Sequence, residues 1–141
     1  MATVKHPEAP VWYVYKFEVR GVPFYVGIGH HEFGVGRAED RIRWVCSQIK
    51  RELSGKRAKK WVLHTSVLKS LILAPEPIKI RYYRKGLCRA EALRVEKRRI
   101  QQLLSTGHVL ANIQHNRRPL PSVPDVIRFV RRKSKLPTAT S

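Results

Sequence analysis

The spacing of apolar residues along the chain predicts short strands followed by helices. Residues 11–19 are rich in aromatic and β-branched side chains and predict a strand. Residues 24–28 predict a second strand, and the turn-forming residues at 20–23 join the two into a β-hairpin. Apolar and polar residues alternate with a period of two over 78–84, which predicts a third strand.

Four further segments carry apolar residues at helical spacing. These predicted helices cover residues 37–53, 59–73, 88–104 and about 125–133. The order of elements predicts an α+β fold, in which a small three-stranded antiparallel sheet is flanked by helices. We expect one domain over 11–116, with a flexible lead over 1–10 and a basic C-terminal extension over 117–141.

Charge is the strongest signal in the composition. The 141 residues include 29 Lys and Arg against 10 Asp and Glu, so the formal net charge is +19. Such an excess favours a polyanionic partner, and DNA, duplex or branched, is the partner that we expect. No apolar run approaches the ~20 residues that cross a bilayer. The first residues lack the apolar core of a secretory signal, so we expect an intracellular protein of the cytoplasm and nucleoid, or of the nucleus.

Basic residues cluster after the first predicted helix and in the C-terminal extension. We expect these clusters to contact phosphates along DNA. The predicted contacts are Lys56, Arg57, Lys59, Lys60, Arg117, Arg118, Arg128, Arg131 and Arg132. The two cysteines, Cys46 and Cys88, have no partners at metal-ligand spacing, so they predict reduced thiols and no zinc site.

Two tyrosine-containing motifs face each other in the predicted hairpin: Tyr13-Val14-Tyr15 and Tyr25-Val26-Gly27. A glycine-rich loop and an arginine-bearing helix follow them. Glu96 comes on a later helix, and Asn112 lies beyond that helix. In this order the motifs resemble the GIY-YIG nuclease superfamily over about residues 11–115.

The resemblance implies a metal-dependent endonuclease that hydrolyses phosphodiester bonds in DNA. It implies a water molecule that attacks with the help of Tyr15 or Tyr25, and one divalent metal, Mg²⁺ or Mn²⁺, on Glu96. It also implies an arginine on the phosphate, which can bind two oxygens at once. Asn112 would brace the glutamate or the metal from across the site. Physical chemistry adds that a phenol beside cations has a lowered pKa and can accept a proton from water.

The position of the arginine stays open between Arg37 and Arg41. Arg37 directly follows the glycine-rich loop and is the preferred residue, whereas Arg41 lies one turn later on the same helix face. Many relatives carry a histidine four residues after this arginine, but Arg41 or Val45 stands there in this chain. The sequence therefore offers no second base or phosphate ligand at that place.

Other residues near the motifs have weaker claims on the site. Tyr13 shares a strand face with Tyr15, and Gly27 would allow a phosphate backbone to approach closely. His30 and His31 predict a solvated loop, with support of the site or proton transfer as the alternative. A metal site is not expected there, because no third ligand has a suitable spacing. Glu91 competes with Glu96, but its place near the helix start favours a role in the first turn.

A second class of function explains the charge equally well. A basic nucleic-acid-binding protein without chemistry, such as a ribosome-associated or nucleoid factor, needs the surplus of Lys and Arg. It does not need two tyrosines and a glutamate in motif order. For the nuclease, one site cuts one strand at a time, so cleavage of both strands would need a homodimer or two visits.

Overall fold

The computed structural model describes residues 11–30, 37–57 and 60–134. Two strands open the chain, β1 (Trp12–Val19) and β2 (Val22–His30), and two helices follow, α1 (Ala38–Leu53) and α2 (Leu63–Leu73). The third strand is β3 (Ile78–Leu87), and the last helices are α3 (Arg89–Ser105) and α4 (Val123–Ser134). The predicted α+β fold with a three-stranded antiparallel sheet is confirmed. The predicted lead over 1–10 lies outside the described residues.

The three strands are arranged in the order β2-β1-β3, so β1 forms the centre of the sheet. Arg20 and Gly21 make the hairpin turn, and both have positive φ angles, 49° and 83°. Two-residue turns of this kind match the natural twist of paired strands. The predicted turn over 20–23 was too long, because Val22 and Pro23 belong to β2. An outer strand tolerates proline, since one of its sides forms no ladder hydrogen bonds.

Helices cover both faces of the sheet. On one face, Tyr13, Tyr15 and Phe17 of β1 pack in a core with residues of α1, α2 and α4. On the other face, Val14 and Val26 pack against α3. Side chains that alternate along β1 therefore contribute to two cores, one on each face of the sheet. This is why almost every residue of the strand is buried.

Other element boundaries also differ from the sequence-based prediction. Strand β3 continues to Leu87, three residues beyond its predicted end at residue 84. Helix α2 begins at Leu63 rather than at residue 59, and the hydroxyl of Thr65 accepts the backbone N–H of Val62 at its start. Helix α4 begins at Val123, two residues before the predicted start.

Helix α4 belongs to the same core as the rest of the domain. Its residues Val126, Ile127, Phe129 and Val130 are buried. The carboxylate of Glu76 also forms two ion pairs, with Arg131 of α4 at 3.3 Å and with Arg20 of the hairpin turn at 2.9 Å. The C-terminal extension is thus packed onto the domain as far as Ser134.

Candidate active site

Side chains from five different elements meet beside the outer strand β2. They are Tyr15 of β1, Tyr25 of β2, Arg41 of α1, His64 of α2 and Glu96 of α3. Tyr15 lies opposite Gly27 and Tyr25 lies opposite Phe17, so the two tyrosines are diagonal neighbours on one face of the sheet. Their ring centroids are 6.3 Å apart. The hairpin therefore brings the two phenols together, as its motifs predicted.

Arg41 lies at the centre of this group. Its Nη1 is 2.7 Å from Nε2 of His64, and its guanidinium carbon is 5.5 Å from the ring centroid of Tyr25. The charge of Arg41 also acts on the hydroxyl of Tyr15: burial raises the pKa of Tyr15, and this charge offsets the larger effect of burial in part. Its Nε is buried and has no hydrogen-bond partner among the residues that the structure describes. This arginine is thus held by aromatic rings and leaves donor capacity unused.

Arg37, the preferred residue in the sequence analysis, does not join the two tyrosines. Helix α1 begins at Ala38, so Arg37 is its N-cap residue, with extended backbone angles and an exposed side chain. Its backbone N–H donates to Oδ2 of Asp40 at 3.2 Å. The geometry therefore favours Arg41 over Arg37 as the arginine of the site. Arg41 lies one helical turn after Arg37, and there its side chain reaches the two tyrosines.

His64 is a site residue that the sequence analysis missed. Its ring stacks on Tyr25 with centroids 4.9 Å apart, and its Nε2 lies 2.7 Å from Nη1 of Arg41. Burial and the nearby charge of Arg41 lower the pKa of His64 to about 4, so the ring is neutral at physiological pH. Arginine can only donate, so Nε2 accepts and the proton sits on Nδ1. The one sequence signal was a histidine on the apolar face of a helix.

Burial raises the pKa of both tyrosines above the ordinary value of a phenol, and the charge of Arg41 offsets this only in part. The expectation of a lowered pKa was wrong for this arrangement. That expectation considered the cations around the motif and left out the burial of the tyrosine rings. Tyr15 is only 1% exposed. Both phenols are therefore neutral hydroxyl groups that can donate hydrogen bonds at neutral pH.

Glu96 differs from the other carboxylates of the chain. Burial raises its pKa to about 6, although Arg41 acts in the opposite direction. It forms no salt bridge or hydrogen bond with the described residues. Glu91, its competitor, accepts the backbone N–H of Cys88 at 3.0 Å and has a lowered pKa, as befits an acid of the first helical turn. The two glutamates thus lie in different environments, and of the two only Glu96 faces the tyrosines.

Asn112 lies at the site but does not bond to Glu96. Its side chain pairs with the backbone of Val26, accepting the N–H at 3.1 Å and donating to the carbonyl oxygen at 2.7 Å. It lines a cavity of about 190 Å³ together with Tyr25, His64 and Glu96. Asn112 was predicted to support Glu96, whereas in this structure it supports the backbone of strand β2.

Gly27 lies against the two tyrosine rings of the site. A Cβ atom at this position would lie 2.7 Å from Oη of Tyr15 and 2.9 Å from Cε2 of Tyr25. Real Cβ contacts are longer than this, so the rings would have to shift to admit a side chain here. The approach of a DNA backbone at Gly27 stays a prediction.

Tyr13 and His30 lie around the site without touching its centre. The hydroxyl of Tyr13 accepts the N–H of Ala38 at 2.8 Å and so fixes the start of the helix that carries Arg41. His30 packs edge-on against Trp12 at 4.8 Å and lines a second, larger cavity. His31 lies outside the described residues.

The predicted DNA contacts fall into two groups. Some of these cations already have partners within the domain: Arg117 with the carbonyl of Leu104, Arg118 with that of Ile113, Arg128 with Asp125 and Arg131 with Glu76. No ion pair within the described residues holds the other four, which are Lys56, Arg57, Lys60 and Arg132, and all eight side chains are exposed. Lys59 is outside the described residues. Lys60 lines the cavity that also contains Arg41, so it is the predicted contact with the clearest relation to the site.

A metal at this site would have to bind through few protein ligands. In the described part of the chain, no group of three or more His, Cys, Asp or Glu side chains could hold a metal ion. Mg²⁺ often keeps most of its waters and binds proteins through one or two carboxylates. The half-buried carboxylate of Glu96 fits that mode of binding, because it forms no salt bridge with the described residues.

Comparisons of the chain with protein-family models, with curated proteins and with solved structures found no match. Among the described residues, no helix has the length and apolar character that crossing a membrane requires. The GIY-YIG resemblance thus stays a prediction that rests on the motifs and on the geometry of their side chains.

Proposed function

We propose that this protein is a metal-dependent endonuclease that hydrolyses phosphodiester bonds in DNA. The observation that carries the proposal is the meeting of Tyr15, Tyr25, Arg41, His64 and Glu96, which come from five elements. Burying polar and charged groups costs free energy unless they are fully paired. A protein that only binds nucleic acid gains nothing from such a cluster, whereas a catalytic site needs it.

Arg41 is the residue that we expect to bind the phosphate. Its guanidinium lies 5.5 Å from the Tyr25 ring centroid and bonds to His64 at 2.7 Å, and its Nε has no partner among the described residues. A fork of N–H donors fits two phosphate oxygens and stabilises the charge that develops on them as the water attacks. The half-buried setting strengthens this interaction compared with an arginine on the open surface.

Glu96 is the residue that would hold a divalent metal. Such a metal, when bound, would polarise the phosphate and stabilise the leaving oxygen. The carboxylate must first lose its proton, and its pKa of about 6 means that it is mostly ionised at neutral pH. We therefore expect metal binding to weaken as the pH falls through about 6.

The proton of the attacking water needs an acceptor, and His64 is the neutral base in the group. In the reaction, the water oxygen forms a bond to phosphorus and the bond to the leaving oxygen breaks. When Arg41 turns to the phosphate, Nε2 of His64 is released and can take the water proton. The hydroxyls of Tyr15 and Tyr25 hold the water by hydrogen bonds. The leaving oxygen takes its proton from solvent.

The experiment is incubation with Mg²⁺ and a panel of plasmid DNA, branched DNA and RNA, with the Glu96→Gln variant beside the wild type. Its matched control is Glu91→Gln, which removes a carboxylate from the same helix outside the site. We expect cleavage of DNA by the wild type and by Glu91→Gln, and none by Glu96→Gln or in excess chelator. Binding of DNA should be retained in every variant.

The result that would refute the proposal is equally definite. DNA binding without cleavage in every substrate and metal condition would favour the non-catalytic nucleic-acid-binding protein that the charge alone suggests. Cleavage of both strands of a plasmid in one encounter would add the proposal of a homodimer, since one such site acts on one strand.

A further inference from the structure

A cavity of about 490 Å³ adjoins the candidate active site and is not used by the chemistry proposed above. It lies at the end of the sheet where Trp12 of β1 stands opposite His30 of β2. Tyr15, Arg41 and His64 belong to both the cavity wall and the active site. Its volume is within the range of pockets that hold small molecules, about 300–1,000 Å³.

The walls of this cavity combine aromatic surface with cations. Trp12, Ile28 and Trp44 supply apolar surface, and both tryptophans are only half-buried. Each tryptophan packs edge-on against a partner ring: Trp12 against His30 of the cavity wall at 4.8 Å, and Trp44 against Trp61 at 5.8 Å. Rings fixed in this way present their remaining surface to the cavity.

The polar part of the wall carries positive charge. Arg37 and Lys60 are exposed and Arg41 is half-buried. Among the described lining residues Asp40 carries the one carboxylate, which already accepts hydrogen bonds from the Arg37 backbone and from Arg43. Arg41 and Trp44 lie three residues apart on one face of α1, and Arg37 is the N-cap residue that precedes the helix. The same helix therefore offers a phosphate-binding guanidinium and an aromatic ring one turn apart.

We infer that this cavity receives an unpaired nucleobase of the DNA strand whose phosphate is bound by Arg41. The inference rests on the proposed function and specifies its substrate class: DNA in which at least one base is unpaired next to the phosphate that is cut. A nucleobase is a flat ring that stacks on tryptophan, and its backbone phosphates suit the cationic rim. A base within an intact duplex stays stacked on its neighbours and would leave the cavity empty.

The test measures binding in excess chelator, so that cleavage plays no part. The probes are a short fluorescent duplex with one unpaired thymidine, the same duplex fully paired, and the same duplex with an abasic tetrahydrofuran at the unpaired position. For the wild type we expect the unpaired thymidine to bind roughly 5-fold to 150-fold more tightly than the abasic probe. The fully paired duplex should bind as weakly as the abasic probe.

The variants then identify the cavity as the place of recognition. Trp44→Ala should weaken binding of the unpaired thymidine by a similar factor and leave the abasic probe unchanged, because the base and the ring act on each other. Trp44→Phe keeps an aromatic face and should retain most of the preference. It also keeps the test decisive if Trp44→Ala does not fold.

Two outcomes would overturn the inference: equal affinity of the wild type for the three probes, or equal weakening of all three by Trp44→Ala. Failure of the proposed function looks different. A protein that prefers the unpaired thymidine but never cuts DNA would retain this pocket and lose the nuclease. A protein that cuts paired and unpaired DNA equally, with equal affinities, would retain the nuclease and lose the pocket.

Discussion

Replacing Glu96 by glutamine should stabilise the protein at neutral pH when no metal is present. In the folded state the pKa of Glu96 is raised to about 6, whereas in the unfolded chain it returns to its ordinary value of 4.5. Between these two pH values the folded protein keeps a proton that the unfolded chain has released. The free energy of unfolding therefore falls as the pH rises through this window.

The size of the effect follows from the same two values. The difference between a pKa of 4.5 and one of about 6 corresponds to roughly 2 kcal/mol above pH 7. The carboxyl is only half-buried, and solvent screening reduces the cost of its charge, so we expect about 1 kcal/mol. Glutamine has the same shape without the charge. Its introduction should raise the melting temperature by about 3–5 °C for a chain of this length.

His64 acts on stability in the opposite direction and has to be separated from Glu96. Its pKa in the folded state is lowered to about 4 from an ordinary value of 6.5. Between these values the unfolded chain holds a proton that the folded state lacks, so the free energy of unfolding rises with pH. The two contributions partly cancel in the wild type. The Glu96→Gln variant should therefore show a steeper rise in stability from about pH 4 to about pH 7.

The assay is urea denaturation in chelator from about pH 4 to about pH 8, for the wild type, Glu96→Gln and Glu91→Gln. Glu91→Gln should lose stability, because the Glu91 carboxylate accepts a backbone N–H at the start of α3. A parallel series with Mg²⁺ should stabilise the wild type but not Glu96→Gln, since a ligand stabilises only the state that binds it. If Glu96→Gln is less stable than the wild type in chelator at pH 7, the reasoning is refuted, because the carboxylate then makes a favourable contact.

Four further substitutions test other parts of the site. Arg41→Lys should lower the cleavage rate by ~10²-fold or more, because lysine keeps the charge but loses the fork, whereas Arg37→Lys should change it by less than ~10-fold; the reverse order in rate assays would return the role to Arg37. Gly27→Ala should cost about 1–3 kcal/mol in urea denaturation, since its Cβ would overlap the two tyrosine rings; an unchanged midpoint would show that the rings move aside freely. Asn112→Ala should cost about 2–4 kcal/mol by the same measurement, because it leaves both backbone groups of Val26 unpaired, and a loss of cleavage without a loss of stability would instead give Asn112 a direct part in the reaction.

The strands and the glutamate could be predicted because their signals are local. Alternation along β1 and the turn residues at its end define the hairpin, and the hairpin brings Tyr15 and Tyr25 onto one face. Glu96 stood out because it lies within a long helix, away from the first turn where Glu91 serves as a cap. Each of these inferences needs only residues that are close in sequence or joined by one tight turn.

The parts that the sequence analysis missed depend on contacts between distant segments. The choice of Arg41 over Arg37 depends on where α1 begins, and that start is held by the hydroxyl of Tyr13 from another strand. His64 is 23 residues from Arg41 along the chain, and only the packing of α2 against α1 brings them together. The direction of the tyrosine pKa shift likewise depends on burial by helices that no local pattern describes.

The two outer strands of the sheet also determine how the protein can meet another chain. An outer strand exposes unpaired backbone groups, and these invite strand addition and aggregation. Along β2, residues of the same chain already bond to some of the outward-facing backbone groups. The backbone N–H of Ala111 donates to the carbonyl of Phe24 at 2.7 Å, and the side chain of Asn112 bonds to both backbone groups of Val26.

Strand β3 has a different safeguard, because its exposed positions carry like charges. The exposed cations on it are Lys79, Arg81, Arg84 and Lys85. Two copies that paired through β3 would bring these charges face to face, which opposes continuous sheets between molecules. We therefore expect the chain to resist fibril formation at low salt. Added salt or a polyanion, by neutralising β3, should be the condition that promotes its self-association.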